Sequence, residues 1–255
     1  MSAPTLWHIE LSHYSEKVRF ALAHKGVEHE RRTPLVGLHG PLAMALTRSG
    51  HRRLPVLRLD DRTIADSTAI VAALEERWPQ PPLYPADPDE RARALMLEDY
   101  FDETLGPSLR LFVWFHQLHE DGGFVDAIAP NGSGARLRVL KAMAPLAGPV
   151  VRADYGAKAG RADEARRTLL AVADRIEAEL GPSGYLVGDA FSVADLTGAA
   201  LFTPLLCPAG REFPPRMHAP AVLDLRAELE AREAGRWVHE MYARHRSATA
   251  AAAPV

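Results

Sequence analysis

A run of prolines divides this chain into two unequal parts that obey different secondary-structure patterns. Residues 79 to 89 read Pro-Gln-Pro-Pro-Leu-Tyr-Pro-Ala-Asp-Pro-Asp. Five prolines in eleven positions remove amide donors and fix φ, so neither a helix nor a sheet runs through the segment. Before it, short apolar stretches alternate with helical ones. Leu6-Trp7-His8-Ile9 is a strand pattern, and Glu16–Lys25 a helix stopped by Gly26. His29–Pro34 is extended, and Leu38–Arg48 a short irregular helix. Leu54–Leu59 and Thr63–Ala65 form a hairpin around Asp60-Asp61. Ser67–Trp78 is a helix with Ile70, Val71 and Leu74 on one face, halted before Pro79. Beyond the prolines the strand signal ends. A long helical pattern covers Arg91–His119, bent near Gly106-Pro107. A Gly-rich stretch at 121–134 follows, then helical patterns at about 135–153, 162–180, 193–206, 221–232 and 235–245. The expectation is an α/β unit over 1–82, a linker at 83–89, an all-helical unit over 90–247 and a frayed tail at 248–255.

Composition narrows what the two units can do. The chain has 255 residues, a net charge of -3 and one cysteine, Cys207. No Lys/Arg block stands out, which argues against nucleic-acid binding. No apolar run approaches the roughly 18 residues that span a bilayer. No basic region followed by an apolar stretch marks a secretion signal, so Asn131-Gly132-Ser133 reads as a chance glycosylation match. A lone cysteine cannot form an internal disulfide and fits a reducing cytoplasm.

The chemistry concentrates in three short segments. Ser12-His13-Tyr14-Ser15 lies where the first strand turns into the first helix, at a positive dipole end that favours an anion. Ser12 and Ser15 have the spacing of a Cys-x-x-Cys pair with oxygen in place of sulfur. Arg53-Leu54-Pro55-Val56-Leu57 places a proline at the entrance of a strand. A cis Leu54–Pro55 bond would turn the Leu54 amide and carbonyl toward an extended ligand; a trans proline at a strand start is the alternative. Asp66-Ser67-Thr68 opens a helix. Asp and Ser are good caps, and the same pair offers an acid for an ammonium and a hydroxyl for a carboxylate. Phe191-Ser192-Val193-Ala194-Asp195-Leu196 is a capping box with a hydrophobic staple, and it carries no catalytic role.

In this order and spacing, Ser-x-Tyr-Ser-x-Lys-Val-Arg, Leu-Pro-Val-Leu, Asp-Ser-Thr and Gly-Asp-x-Phe-Ser-Val-Ala-Asp resemble the cytosolic glutathione S-transferase superfamily. The likeness is to serine-type, theta- or zeta-like bacterial members, without assignment to a class. It implies a thioredoxin-like domain with a mixed four-stranded sheet, a helical bundle behind it, and a homodimer. It also implies glutathione as co-substrate, with no metal. Ser12 falls at the catalytic hydroxyl, with Ser15 and Tyr14 as rivals. Leu54 and Pro55 match the backbone contact to the cysteinyl part of glutathione. Asp66 and Ser67 match the γ-glutamyl site, and Arg53 the approach to the glycyl carboxylate. Two departures mark this chain. His13 stands where proline often follows the catalytic residue, and Ser49–Arg53 is longer and more basic than usual.

The expected role of Ser12 follows from its residue type. A serine hydroxyl is too weak a base to take a thiol proton at neutral pH, but it can donate a hydrogen bond to a thiolate. The second substrate, a small hydrophobic electrophile, is expected between Ser12 and the long helix. Phe112, Trp114, Phe115 and His116 would form its aromatic rim, core or dimer packing being the alternative for each. His116 and His119 are too few for a metal site. With serine at 12, conjugation, peroxide reduction or isomerisation is favoured over thiol transfer. A non-catalytic glutathione binder on the same fold, or use of another small thiol, stays open.

Overall fold

The computed structural model describes residues 3–35, 38–120 and 159–246, together with residues 123, 125, 137, 138, 141 and 142. Most of the 121–134 stretch and of the 135–153 helical pattern lies outside the described residues. So do Asn131-Gly132-Ser133 and the tail.

The first part is a four-stranded mixed sheet flanked by helices. Strands β1 (Thr5–Trp7), β2 (Glu30–Arg32), β3 (Val56–Leu59) and β4 (Arg62–Ala65) lie in the order β2-β1-β3-β4. β1 and β2 are parallel, while β3 runs antiparallel to both β1 and β4. The register pairs Leu6 with both Arg31 and Leu57, and Leu57 with Ile64. Helices α1 (His13–His24), α2 (His39–Thr47) and α3 (Ser67–Arg77) complete this thioredoxin-like domain. The first helix starts three residues before the Glu16 expected from apolar periodicity, because Ser12 caps it. It ends in a Schellman arrangement: Val27 N donates to Leu22 O at 2.9 Å and Gly26 N to Ala23 O at 3.0 Å. Gly26 takes the required positive φ of 63°.

The second part is helical: α4 (Pro88–Tyr100), a π-helical turn (Phe101–Leu105), α5 (Gly106–Gln117), α6 (Ala159–Glu179), α7 (Val193–Leu206), α8 (Pro220–Glu230) and α9 (Glu233–His245). The bend expected near Gly106-Pro107 is this π turn, placed just before the proline that cannot donate to the preceding turn. Every residue of α7 is buried, so this helix is the centre of the bundle and packs on α1 as well as on its own domain. Asp195 closes its start: the backbone N and Oγ of Ser192 both donate to Oδ2 at 2.9 Å, and Leu186 N donates to Oδ1 at 2.9 Å. Burial pushes the Asp195 carboxyl up to about 6. Phe191 stacks on His245, centroids 4.1 Å apart, and also meets Phe20 of α1.

The proline segment is pinned to both parts. Leu83 and Tyr84 are buried. The Glu75 carboxylate accepts from the backbone of both, and Leu83 O accepts from Val193 N at 2.7 Å. Lys25 Nζ donates to the carbonyls of Trp78 and Pro81 and contacts Glu75. Among the described residues no helix is long and apolar enough to cross a membrane.

Candidate functional site

A cavity of about 480 Å³ opens between the sheet domain and α5. That volume lies within the range of about 300–1,000 Å³ usual for small-molecule sites. The ends of several elements converge on it. Ser12 comes from the start of α1, Arg53, Leu54 and Pro55 from the entrance to β3, and Asp66, Ser67 and Thr68 from the start of α3. The Leu54–Pro55 bond is cis.

The three candidate hydroxyls of the first segment have different fates. Ser12 Oγ accepts from Ser15 N at 3.3 Å, which leaves its own proton to donate into the cavity. Ser15 has no exposed surface, and its Oγ accepts from Ile9 N at 3.3 Å, fixing the strand-to-helix turn. Tyr14 lines the cavity, but its hydroxyl donates to the Asp102 carbonyl at 2.7 Å. Burial raises the phenol further from ionisation.

Asp66 caps α3, with Oδ1 accepting from Thr68 N at 2.9 Å and Ala69 N at 3.2 Å. It does so at φ 77°, a conformation rare outside glycine, and such backbone is commonly held at ligand sites. Behind it lies a buried charge cluster. Lys17 Nζ is 2.8 Å from Glu98 Oε1 and 2.5 Å from Asp102 Oδ2, and donates to Thr68 Oγ1 at 3.0 Å. Thr68 Oγ1 donates to Asp102 Oδ2 at 2.7 Å. The other oxygen, Asp102 Oδ1, is buried without a hydrogen-bond partner on a residue that lines the cavity. Burial outweighs Lys17 at Glu98 and holds that carboxyl above its usual range. The sequence reading missed this cluster. Lys17 sits in a helix that is buried over most of its length, charged residues included, and its sequence gives no sign of which partners meet it there.

The opposite wall is formed by Leu109, Arg110, Val113 and Trp114 of α5, with Pro204 and Met217. The expected rim is only partly there. Trp114 lines the cavity, whereas Phe112, Phe115 and His116 do not. Phe112 is 1 % exposed in the core. Phe115 packs against that core, and His116 meets Phe112 and Phe115 edge-on, with centroids 4.6 and 5.0 Å away. Positions 109, 110, 113 and 114 share one helical face, and 112, 115 and 116 belong to another. His13 also lines the cavity, and its Nε2 is buried without a partner. Burial, then Arg110 and Arg211, push its imidazole down to about 3, so it is neutral. His39 and His51 join Arg53 on the lining. Among the described residues no group of three His, Cys, Asp or Glu side chains is placed to hold a metal.

Comparisons with known proteins bear on this geometry. The sequence matches the glutathione S-transferase N-terminal domain over residues 6–82 and the C-terminal domain over 140–233. It is 32% identical to glutathione S-transferase 3 of Glycine max over 114 residues, which is 44% of this chain and 51% of that protein. The chain thus spans about half the length of the curated relatives it matches. Among solved structures, a glutathione S-transferase of Methylobacterium radiotolerans in complex with glutathione sulfonate aligns over 100% of both chains, with 24% identity and a TM-score of 0.55. The beta-etherase LigF of Sphingobium sp. strain SYK-6 aligns over 94% of this chain and 99% of its own, with 23% identity and a TM-score of 0.59. At these identities the structures speak for the fold. The two domain matches, which together cover most of the chain, show that it belongs to the glutathione S-transferase superfamily.

Proposed function

We propose that the chain is a glutathione transferase of the serine type, in which Ser12 stabilises the thiolate of bound glutathione for attack on a small electrophile. One observation carries this reading. Ser12, Leu54–Pro55 and Asp66–Ser67 meet in one cavity, and of the three hydroxyls in the first segment only that of Ser12 has its proton available to the cavity. The residues fit the tripeptide. The unpartnered Asp102 Oδ1 and the Asp66 carboxylate suit the γ-glutamyl ammonium, and Ser67 at the start of α3 suits its carboxylate. Arg53, with His39 and His51, suits the glycyl carboxylate at the other end.

Bound glutathione supplies the thiol, whose sulfur forms the new bond to carbon while the electrophile's leaving group departs with its bonding pair, as chloride does from an aryl chloride. The part of Ser12 is electrostatic. A hydrogen bond to a charged group contributes about 1.5–3 kcal/mol, enough to bring a thiol pKa from about 8.5 to about 7. The N-terminus of α1 favours the same anion. The thiol proton leaves to solvent, so no residue has to hold it.

Kinetics with chlorodinitrobenzene test the reading. Ser12→Ala should lower kcat/KM by about 10- to 100-fold and raise the pKa of bound glutathione, read from thiolate absorbance. Turnover unchanged by Ser12→Ala would remove Ser12 from the chemistry. Glutathione binding by the wild type without turnover of aryl halides, peroxides or epoxides would favour a binding protein instead. The same reading carries a homodimer. Leu95 and Met96 of α4 are 40% and 50% exposed, an apolar patch that a second copy can cover. Sedimentation velocity should give a dimer, and Met96→Glu should shift it toward monomer.

A further inference from the structure

The turn that delivers Ser12 to the cavity is held from behind by two buried arginines, Arg19 and Arg211. Ile9, Leu11 and Ser12 line the cavity, and Ser12 N closes the turn by donating to Ile9 O at 3.1 Å. The carbonyls of Ile9, Glu10 and Leu11 all accept from guanidinium groups. Arg19 donates to Glu10 O at 3.0 Å and to Ile9 O at 3.4 Å. Arg211 donates from Nη2 to Leu11 O at 3.0 Å and from Nε to Phe213 O at 3.0 Å. Carbonyls held in this way cannot swing toward the cavity, where their partial negative charge would oppose an anion.

The two arginines are anchored differently. Arg19 belongs to α1, the helix that follows the turn, and its Nη2 lies 2.7 Å from Glu16 Oε2 of the same helix. Arg211 comes from the helical domain, on the connection between α7 and α8. That connection is docked on the sheet domain. Glu212 pairs with Arg31 of β2, and the Phe213 ring lies 5.1 Å from the Arg19 guanidinium and 5.7 Å from the His8 ring. The two acids of this cluster pair with other bases: Glu16 with Arg19 and Arg246, and Glu212 with Arg31 and Arg246.

We propose that Arg211 is a positioning residue for the Ser12 hydroxyl: by holding the Leu11 carbonyl it fixes the turn from the helical domain, so the aim of Ser12 at the thiolate depends on the α7–α8 connection as well as on the cap of α1. This rests on the role given to Ser12 in the reading above, and the experiment separates the two. A hydrogen bond weakens steeply as its donor goes out of line. Loss of the anchor should therefore raise the pKa of the bound thiol more than it weakens tripeptide binding, because Leu54–Pro55 and Asp66–Ser67 lie on other elements. The charged side chains on the cavity lining, Arg53, Asp66, Asp99, Asp102, Glu103 and Arg110, are not altered by a substitution at 211.

Arg211→Met should raise the thiol pKa of bound glutathione, read from thiolate absorbance, by about 0.5–1 unit. Its kcat at about pH 6.5 should fall by about 3- to 10-fold, with the KM for glutathione within about twofold of wild type and a deficit that shrinks at higher pH. Amide exchange of the 9–16 segment, relative to the rest of the sheet domain, should quicken by about tenfold. Arg211→Lys keeps the charge but has no fork to span two carbonyls, so it should fall between. Leu225→Ala in the core of α8 is the control for stability alone: it should lower the urea midpoint and leave the thiol pKa unchanged. An unchanged thiol pKa or unchanged exchange in Arg211→Met, or an equal pKa rise in Leu225→Ala, would overturn the proposal. Should Arg211→Met not fold, Arg211→Lys set against Leu225→Ala decides by the same readouts. In a Ser12→Ala background, Arg211→Met should add no further rise; a full additional rise would mean that Arg211 acts by its charge and not through Ser12. If Ser12→Ala itself leaves the thiol pKa unchanged, the role of Ser12 fails, and exchange alone then decides whether Arg211 holds the turn.

Discussion

The two walls of the cavity are built in different ways. The sheet-domain wall is made of element termini: the cap of α1, the entrance to β3 and the cap of α3. Its polar groups are fixed by the backbone that the caps themselves define. The α5 wall is one face of a helix, and its character depends on which side chains that face presents. A wall of termini suits an invariant ligand with charged ends, because termini supply oriented N–H groups and carboxylates at set places. A wall of side chains can be respecified by substitution without moving backbone. In the proposed reading, this division puts the tripeptide on the first wall and specificity on the second.

The largest expected effect bears on how the first wall is held. Lys17→Met removes the cation between Glu98 and Asp102 and leaves two carboxylates behind α3, both largely buried. Breaking a buried pair from one side costs about 3–5 kcal/mol. Urea denaturation should show a loss of that order, with weaker glutathione binding, since Thr68 shares the cluster. A loss below about 1 kcal/mol would mean that the first wall stands on its caps alone.

The next substitution strikes the seam between the walls. A Cβ added at Gly106 would lie 2.2 Å from the Tyr14 hydroxyl oxygen and 2.7 Å from its ring carbon Cζ. A methyl group at this position therefore forces the Tyr14 ring, which is hydrogen-bonded to the Asp102 carbonyl, to move. Gly106→Ala should destabilise by about 1–3 kcal/mol through overpacking and disturb both substrates' KM values. If its denaturation midpoint stays at the wild-type value, the Tyr14 ring gives way without cost, and its hydrogen bond to the Asp102 carbonyl does not hold the walls together.

Protonation sharpens the contrast further, because His13, the first residue of α1, is held neutral by burial and then by Arg110 of α5. The unfolded pKa of His13 is near 6.5 and its folded value about 3, so between these limits the unfolded chain binds the extra proton. Stability is therefore fully present above about pH 6.5 and is lost as pH falls toward 3, at about 1.4 kcal/mol per pH unit for this one proton. His8, pushed down to about 2 by burial and then Arg19, adds the same sign. In His13→Asn the slope of stability against pH, measured by urea titration between about pH 5 and 6.5, should fall by roughly one proton. A slope unchanged by the substitution would mean that His13 titrates normally.

What was legible in the sequence follows the same division. Ser12, Pro55, Asp66 and Ser67 could be read because caps and strand entrances are local signals, written in a few consecutive residues. The α5 wall could not be read in that way. Periodicity groups 109, 110, 113 and 114 on one face and 112, 115 and 116 on another. Which face meets the cavity is decided by the π turn at 101–105 and by the burial of Phe112, both tertiary outcomes. The proline segment misled in a milder way. Composition marks a break between units, but cannot show that Glu75, Lys25 and Val193 fasten it to both. The Lys17 cluster was invisible because its partners are 51, 81 and 85 positions distant.

The smallest expected effect lies at the one place where the first wall relies on a long side chain. Arg53 is exposed, and it stands in the basic stretch His51-Arg52-Arg53. An exposed ion pair contributes about 0.2–1 kcal/mol and is screened by salt. Arg53→Ala should therefore raise the KM for glutathione by no more than about fivefold at low ionic strength, and the difference from wild type should shrink as salt is added. A salt-independent loss of tenfold or more would mean that Arg53 is desolvated when the tripeptide binds. The glycyl end would then be an enclosed site, and the first wall, like the second, would owe part of its selectivity to a side chain rather than to the ends of its helices and strands.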